Sequence, residues 1–241
     1  MDQNGNRPVG PIIPNWTAPP RPEMAPLQGR YARLEALDAE RHAALLYRAF
    51  DGHDWLWDYM PVGPFASAAQ FHKWMRGATG AGDDTRFYAI EDRDAGQFGG
   101  FASYLRIKPD SGSIEMGFIA MAPQLQRTRA ATEAFYLMMK WAFDAGYRRF
   151  EWKCDALNTP SRRAAQRLGF SYEGIFRQAT VIKGRNRDTA WFAVIDREWP
   201  ALSEAFEIWL APGNFDAAGH QRERLSDLTK LVRAAGDPDL T

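Results

Sequence analysis

The twelve residues Pro123-Gln124-Leu125-Gln126-Arg127-Thr128-Arg129-Ala130-Ala131-Thr132-Glu133-Ala134 combine features that suit an anion. Two arginines stand in a polar turn that opens directly into a run with helical spacing: Ala131, Ala134, Phe135, Met138, Met139 and Ala142. The first N–H groups of such a helix lack intrahelical partners and lie at the positive end of its dipole. Small Ala130 and Ala131 let a ligand approach that backbone. Upstream, the apolar run Ile114 to Met121 is interrupted by one acid, Glu115, a candidate proton acceptor. Downstream, Asn158-Thr159-Pro160-Ser161 places an amide and a hydroxyl at the start of a short helix. Earlier in the chain, Asp51 to Pro61 is dense in aromatics and has broken periodicity, with Trp55 and Tyr59 as candidate substrate contacts.

These groups need a scaffold, and the pattern supplies one. Gly29 to Leu37 alternates as a first strand, and Asp38 caps a helix with the apolar face Ala43, Leu46 and Phe50. Ser67 caps a second helix through Met75. Arg86–Glu91 and Phe98–Ile107 read as antiparallel strands across the turn at 92–96, with Gly99-Gly100 marking a bulge. The strand Ile114–Met121 follows, then the helix from Arg129 to the C-cap Gly146, a strand at Arg149–Cys154 and the short helix Arg162–Leu168. A long hairpin, 170–182 and 189–195, completes the sheet. Two further helices, 201–210 and 215–235, form a C-terminal cover. The order predicts a layered α+β or α/β domain with helices on both faces of a mixed sheet.

The composition narrows the partners. In 241 residues, 30 Lys/Arg balance 30 Asp/Glu, which argues against a general nucleic-acid binder. Yet residues 126–188 hold thirteen Lys/Arg against six Asp/Glu, a local +7 that suits a small polyanion. No apolar run reaches the ~18 residues of a membrane span. The N-terminus lacks the basic-then-apolar pattern of a secretory signal, so no membrane and a cytoplasmic location are expected. One cysteine, Cys154, and four histidines without ligand spacing give no metal site. Residues 1–26, with seven prolines, read as an extended arm anchored, if anywhere, by Trp16.

Taken together and in this order, these stretches resemble the GNAT acetyltransferase superfamily, most nearly its RimJ/RimL-like branch. The likeness rests on Gly29 to Leu37, Ile114-Glu115-Met116-Gly117-Phe118, Gln126 to Ala134, and Asn158-Thr159-Pro160-Ser161 with Gly169-Phe170 eight residues on. It implies a GNAT fold: a mixed, mostly antiparallel sheet of six to seven strands, splayed between the fourth and fifth. The arm would be 1–26, the acetyltransferase domain 27–198 and the helical extension 199–241. It also implies acetyl-CoA as cosubstrate, without a metal. The pantetheine arm would pair with the fourth strand at Phe118, Ile119 and Ala120 and meet Asn158 and Ser161. The pyrophosphate would sit on Gln126, Arg127, Thr128, Arg129, Ala130 and Ala131. Arg129 replaces the glycine usual in the family's Gln/Arg-x-x-Gly-x-Gly/Ala loop, so the turn is expected to run through ordinary backbone angles and to contact phosphate with this side chain as well.

By the same resemblance, an amine attacks the thioester and CoA leaves as thiolate. Glu115 would take the amine's proton, and Ser161 would protonate the thiolate, since Ala165 stands where many relatives carry tyrosine. A backbone N–H near Phe118 or Ile119 would hold the developing oxyanion. The acceptor is a primary amine of a small molecule, an amino acid or a protein N-terminus. Trp55, Tyr59, Glu115, Trp152 and Asp155 would line its cleft, with Lys153 at the border. The aromatic extensions leave room for a homodimer. The alternative reading is a non-catalytic CoA-binding or partner-binding protein of the same fold.

Overall fold

The alternating stretches pair into one eight-stranded sheet in the computed structural model, which describes Arg7 and residues 9–240 except 81 and 83. The strands are β1 (Leu27–Gln28), β2 (Ala32–Ala36), β3 (Thr85–Asp92), β4 (Gln97–Lys108), β5 (Ser113–Met121), β6 (Arg149–Asp155), β7 (Ser171–Ile182) and β8 (Arg185–Ile195). Their order in the sheet is β1-β2-β3-β4-β5-β6-β8-β7. Every pairing is antiparallel except β5 with β6. The strand expected as the fourth is therefore β5. The count exceeds six to seven because the stretch expected as a single first strand is preceded by the two-residue β1, folded back upon it.

That fold-back has a specific cause. The helix α3 (Arg129–Asp144) carries Glu133, whose buried carboxylate accepts N–H bonds from Arg30 (2.9 Å), Tyr31 (2.6 Å) and Ala32 (2.7 Å). A Cβ on Gly29 would lie 2.3 Å from the Glu133 carboxyl carbon, so only glycine admits the acid so close. Three backbone donors that would otherwise be orphaned in the interior are thereby satisfied.

Helices α1 (Ala39–Phe50) and α2 (Ala68–Thr79), capped by Asp38 and Ser67 as their sequences predict, pack on one face of β3–β5. Phe50, Trp57, Phe65, Phe71, Trp74 and Phe101 form an aromatic cluster there with ring centroids 5–6.5 Å apart. Burial of each such ring contributes about 1.5–3 kcal/mol. Helices α3, α4 (Thr159–Arg167) and α5 (Trp199–Leu210) pack in the larger core on the opposite face. Among the described residues, α1 and α2 cover the first face at β3–β5; the same face of β6–β8 forms a floor beside them.

Both extensions dock on the body. In the arm, Pro19 and Pro22 are buried, and the Pro20 and Ala25 carbonyls accept bonds from the Tyr147 and Tyr88 hydroxyls. Trp16 lies against the Arg148 guanidinium, 5.5 Å from it. Phe206 and Trp209 are buried within their own chain, so the aromatics that left room for a dimer already have partners. The helix expected over 215–235 is not formed. Phe215 bridges to Gln221 instead, and only α6 (Leu225–Thr229) is helical. Side chains explain this: Asp216 accepts from the N–H of Ala218 and His220, and Asn214 bonds the Trp209 carbonyl and the Glu223 N–H, competing with helical bonds.

Replacing Glu133 with alanine is expected to lower unfolding free energy by about 2–4 kcal/mol, with glutamine intermediate, because three buried N–H groups lose their acceptor. Urea denaturation measures it, and an unchanged midpoint would show the fold-back to be held by other contacts.

Candidate active site

The parallel pairing of β5 with β6 is brief. Ser113 lies opposite Arg149, Ile114 opposite Phe150 and Glu115 opposite Glu151, and there it ends while both strands continue. From Met116 onward the β6-facing edge of β5 is open. On its other side β5 carries a bulge: Ser103 pairs Gly117 and Phe101 pairs Ala120, so Phe118 and Ile119 together oppose Ala102. Phe118 has φ = 51°, a strained region for a bulky residue, and the bulge releases local peptide groups from the ladder. The Ser103 hydroxyl donates to the Gly117 carbonyl beside it (3.0 Å).

The open edge leads into the basic turn. Gln126 Nε2 donates to the Met121 carbonyl (2.8 Å), which ties the turn to the strand end. Thr128 caps α3 by accepting from the Ala131 N–H (3.0 Å). The N–H groups of Arg127, Arg129 and Ala130 have no partner among the described residues, so three donors converge at the positive end of α3. The expectation for this turn needs one correction. It does not run through ordinary angles: the positive φ falls on Arg127 (62°), two residues before the position the glycine usually holds. The Arg129 side chain, expected on phosphate, has partners within the chain. Its guanidinium pairs with Asp94 (3.1 Å) and lies over the rings of Tyr31 (4.6 Å) and Phe215 (5.0 Å). Cation–π contact with two rings and an ion pair hold it there.

Across the fork stands α4. Asn158 Oδ1 accepts the Ser161 N–H (3.1 Å), and Ser161 Oγ accepts from Trp152 Nε1 (3.0 Å). With a lone pair engaged by the indole, the Ser161 hydroxyl keeps its proton to donate, within reach of the Cys154 sulfur. Its neighbour Cys154 has a thiol pushed up to about 11 by burial, partly offset by a hydrogen bond with Ser161. Trp152, expected as a cleft wall, is 4% exposed and packs edge-on with Phe135 and Phe170. It lies behind Ser161 because β6 alternates, sending Phe150, Trp152 and Cys154 to the core and Glu151 and Lys153 to the cleft floor. The C-terminal segment braces this helix. Arg162 bonds Asp237 through Nε (2.7 Å) and Nη2 (2.5 Å) and reaches the Ala156 carbonyl (3.0 Å).

Charged groups cross the cleft floor as a ladder. Glu115, 2% exposed, meets Arg106 (2.7 Å) through one carboxylate oxygen and Lys153 (2.8 Å) through the other. Glu115 Oε2 is shut off from solvent beneath this contact. A Cβ on Gly117 would lie 3.2 Å from Glu115 Oε1, which places the carboxylate next to the bulge. Lys153 also pairs with Glu151 (2.6 Å), and Arg149 links Glu151 to Glu173. Burial alone would raise the Glu151 carboxyl, but bonds from Arg149 and Lys153 outweigh it and hold it below the usual carboxylate range. Lys153 Nζ sits 3.8 Å from the centre of the Trp191 ring, which packs on Phe176.

The aromatic loop spans the end of this floor. Tyr59 donates to the Leu157 carbonyl (3.2 Å), and Lys183 Nζ at the β7–β8 turn donates to the Trp57 carbonyl (2.8 Å). Trp55 and Tyr59 remain 53% and 39% exposed, and Asp155 accepts the Leu157 N–H (2.8 Å). Arg106, Glu151, Trp191 and Phe176 were not singled out from sequence. For Glu151 the signal was present, in the strict alternation of β6. For the others, strand partners had to be known first.

The family of acetyltransferase (GNAT) domains matches residues 32–171. The chain belongs to the GNAT acetyltransferase family. It is 46% identical to a GCN5-related N-acetyltransferase from Brucella melitensis, with 90% of this chain and all of that one covered and a TM-score of 0.87. A "probable acetyltransferase" of the GNAT family from Chromobacterium violaceum is 42% identical, over 81% of this chain and 98% of its own (TM-score 0.77). The Salmonella typhimurium acetyltransferase that modifies the N-terminal serine of ribosomal protein L7/L12 shares the fold at 22% identity, over 71% and 99% of the chains (TM-score 0.61). No functionally curated protein matches. Among the described residues, no acid, histidine and cysteine cluster is placed to hold a metal ion, and no helix is long and apolar enough to cross a membrane.

Arg129→Ala is expected to cost about 1–2 kcal/mol of stability through the lost ring and ion-pair contacts. It should change the acetyl-CoA dissociation constant less than about threefold, under 1 kcal/mol. A tenfold weakening in calorimetry would place its side chain on the phosphates after all.

Proposed function

We propose that this GNAT enzyme moves an acetyl group from acetyl-CoA directly to a primary amine, of a small molecule, an amino acid or a protein N-terminus. The observation that carries the reading is the fork: an unpaired β5 edge running straight into three unpaired N–H donors at the start of α3. An extended amide-bearing arm ending in a pyrophosphate fits this pairing of strand edge and anion site. Acetyl-CoA, when bound, supplies the activated thioester.

The chain's own residues have separable tasks. Phe118, Ile119 and Ala120 offer backbone to the pantetheine arm, and Gln126, Arg127, Thr128, Arg129, Ala130 and Ala131 cradle the phosphates, Arg129 through its backbone alone. Asn158 fixes the start of α4 and so the position of Ser161. A peptide N–H at the Phe118–Ile119 bulge holds negative charge that develops on the carbonyl oxygen; donors in this role are worth about 10²–10³ in rate. Glu115, whose carboxylate Arg106 and Lys153 hold in place beside the bulge, accepts the amine's proton, directly or through water. Ser161, already accepting from Trp152, donates its hydroxyl proton to the leaving sulfur. Trp55, Tyr59 and Asp155 border the acceptor's path. The RimJ/RimL-like assignment is supported by the shared fold.

A thiol-release assay with acetyl-CoA across free amino acids, polyamines, amine drugs and short peptides should find turnover on one acceptor class. Glu115→Gln and Ser161→Ala should each lower kcat by about 10²-fold, the lower end for general acid–base groups, with little change in acetyl-CoA affinity. Full activity in both variants would remove these two residues from the chemistry.

A further inference from the structure

The hairpin that flanks the acceptor cleft is strongly basic. Between Phe176 and Thr189 stand Arg177, Lys183, Arg185 and Arg187 against one acid, Asp188. Asp188 is occupied by the Gln178 N–H (2.7 Å) and Asn186 Nδ2 (3.0 Å). Among the described residues no acid lies within ion-pairing distance of any of the four cations. Arg187 differs from the rest. It is half-buried, and its Nε is shielded from solvent without a hydrogen-bond partner, a state that is costly to leave unrelieved.

Its position is fixed by the sheet. β8 pairs without a break along β6, with Trp191 opposite Lys153 and Thr189 opposite Asp155. Alternation along β8 then puts Arg187, Thr189 and Trp191 on one face. The contact of Trp191 with Lys153, and of Lys153 with Glu115, identifies that face as the cleft floor. Between them Thr189 is buried, flanked by Asp155 on β6 and Phe176 on β7. At the far end the aromatic loop closes over the hairpin through Lys183 to Trp57 and over the β6–α4 loop through Tyr59 to Leu157. Arg187 thus lies on the hairpin side of this face, at the opposite end of the floor from Glu115. Four residues of strand separate it from Trp191, about 13 Å, which the long guanidinium arm shortens.

We propose that Arg187 binds an anionic group, a carboxylate or phosphate, carried by the acceptor, and so selects amines joined to an anion by a short spacer that lies along Trp191. A planar guanidinium offering two parallel donors suits either group. This inference rests on the acetyl-transfer reading for the identity of the reacting amine, but the anion site itself does not.

The test uses full-length protein saturated with CoA for binding and acetyl-CoA for turnover. Acceptors are matched pairs: free-N-terminus tripeptides ending in amidated Glu or Gln, and aminoalkyl phosphates beside the corresponding amino alcohols. The wild type should favour the anionic member of at least one pair by about tenfold or more, expressed in binding and KM rather than kcat. Arg187→Gln should compress that ratio toward one, and Arg187→Lys should restore part of it. The pair that responds tells carboxylate from phosphate. Equal binding of anionic and neutral members, or a loss in Arg187→Gln that falls on both alike, would overturn the proposal. Anion-dependent binding that is lost in Arg187→Gln, with no acceptor acetylated, would instead contradict the acetyl-transfer reading and leave the anion site standing.

Discussion

Three residue pairs hold β5 to β6, and the site depends on the pairing stopping there. Had the two strands stayed in register to their ends, the edge of β5 would be consumed by its own sheet and no extended ligand could add to it. One feature parts them and another fixes where they part. The bulge at Phe118 bends β5 beyond the last pair, as an extra residue in one strand does. At the fork itself, the ion pair of Glu115 with Lys153 joins the strands by side chains at the point where the backbone ladder ends. Because α3 begins eight residues after the strand, the same geometry delivers unpaired helix N–H groups to the far end of the open edge.

The extensions are part of this construction. Arg129, at the first position of α3, is sandwiched against Tyr31 from the start of the sheet and Phe215 from the C-terminal segment. Arg162 ties α4, and with it Asn158 and Ser161, to the fully buried Asp237. A buried charged pair adds little net stability, because desolvation offsets much of the attraction, but losing either partner is expensive. Its value here is in fixing the helix that faces β5. Glu133 does the same for α3 by anchoring the β1–β2 fold-back to its first turns. Rigid elements thus hold both sides of the fork, as a site that must orient two reactants requires.

The strands and capped helices were legible because their signals are local: Asp38, Ser67, Thr128 and Asn158 each accept the N–H three residues on, and apolar spacing marks each face. The pair Gly99-Gly100 coincides with the register shift between Ile90 and Glu91, where Gly99 is the extra residue against β3. The chain from Phe215 to Ala235 misled because its charge spacing suits a helix, while the bonds of Asn214 and Asp216 that dissolve it are tertiary or loop-specific. The surroundings of Arg129 were hidden for a related reason: sequence shows an arginine in a basic turn but not the ring of Phe215 that it lies over. The cleft floor was half legible. Alternation along β6 turns Glu151 and Lys153 to the face away from the core, whereas Trp191 and Arg187 enter only through the pairing of β8 with β6, which sets Trp191 opposite Lys153, 38 residues earlier, and which no local rule supplies.

The account's central claim is that acetyl-CoA occupies the fork between β5 and β6. Amide hydrogen exchange with and without acetyl-CoA tests it most directly. The account predicts added protection at Phe118–Met121 and at Arg127–Ala131, with none on the outer strands β1–β3. Protection confined to other segments, or none at saturating acetyl-CoA, would contradict it.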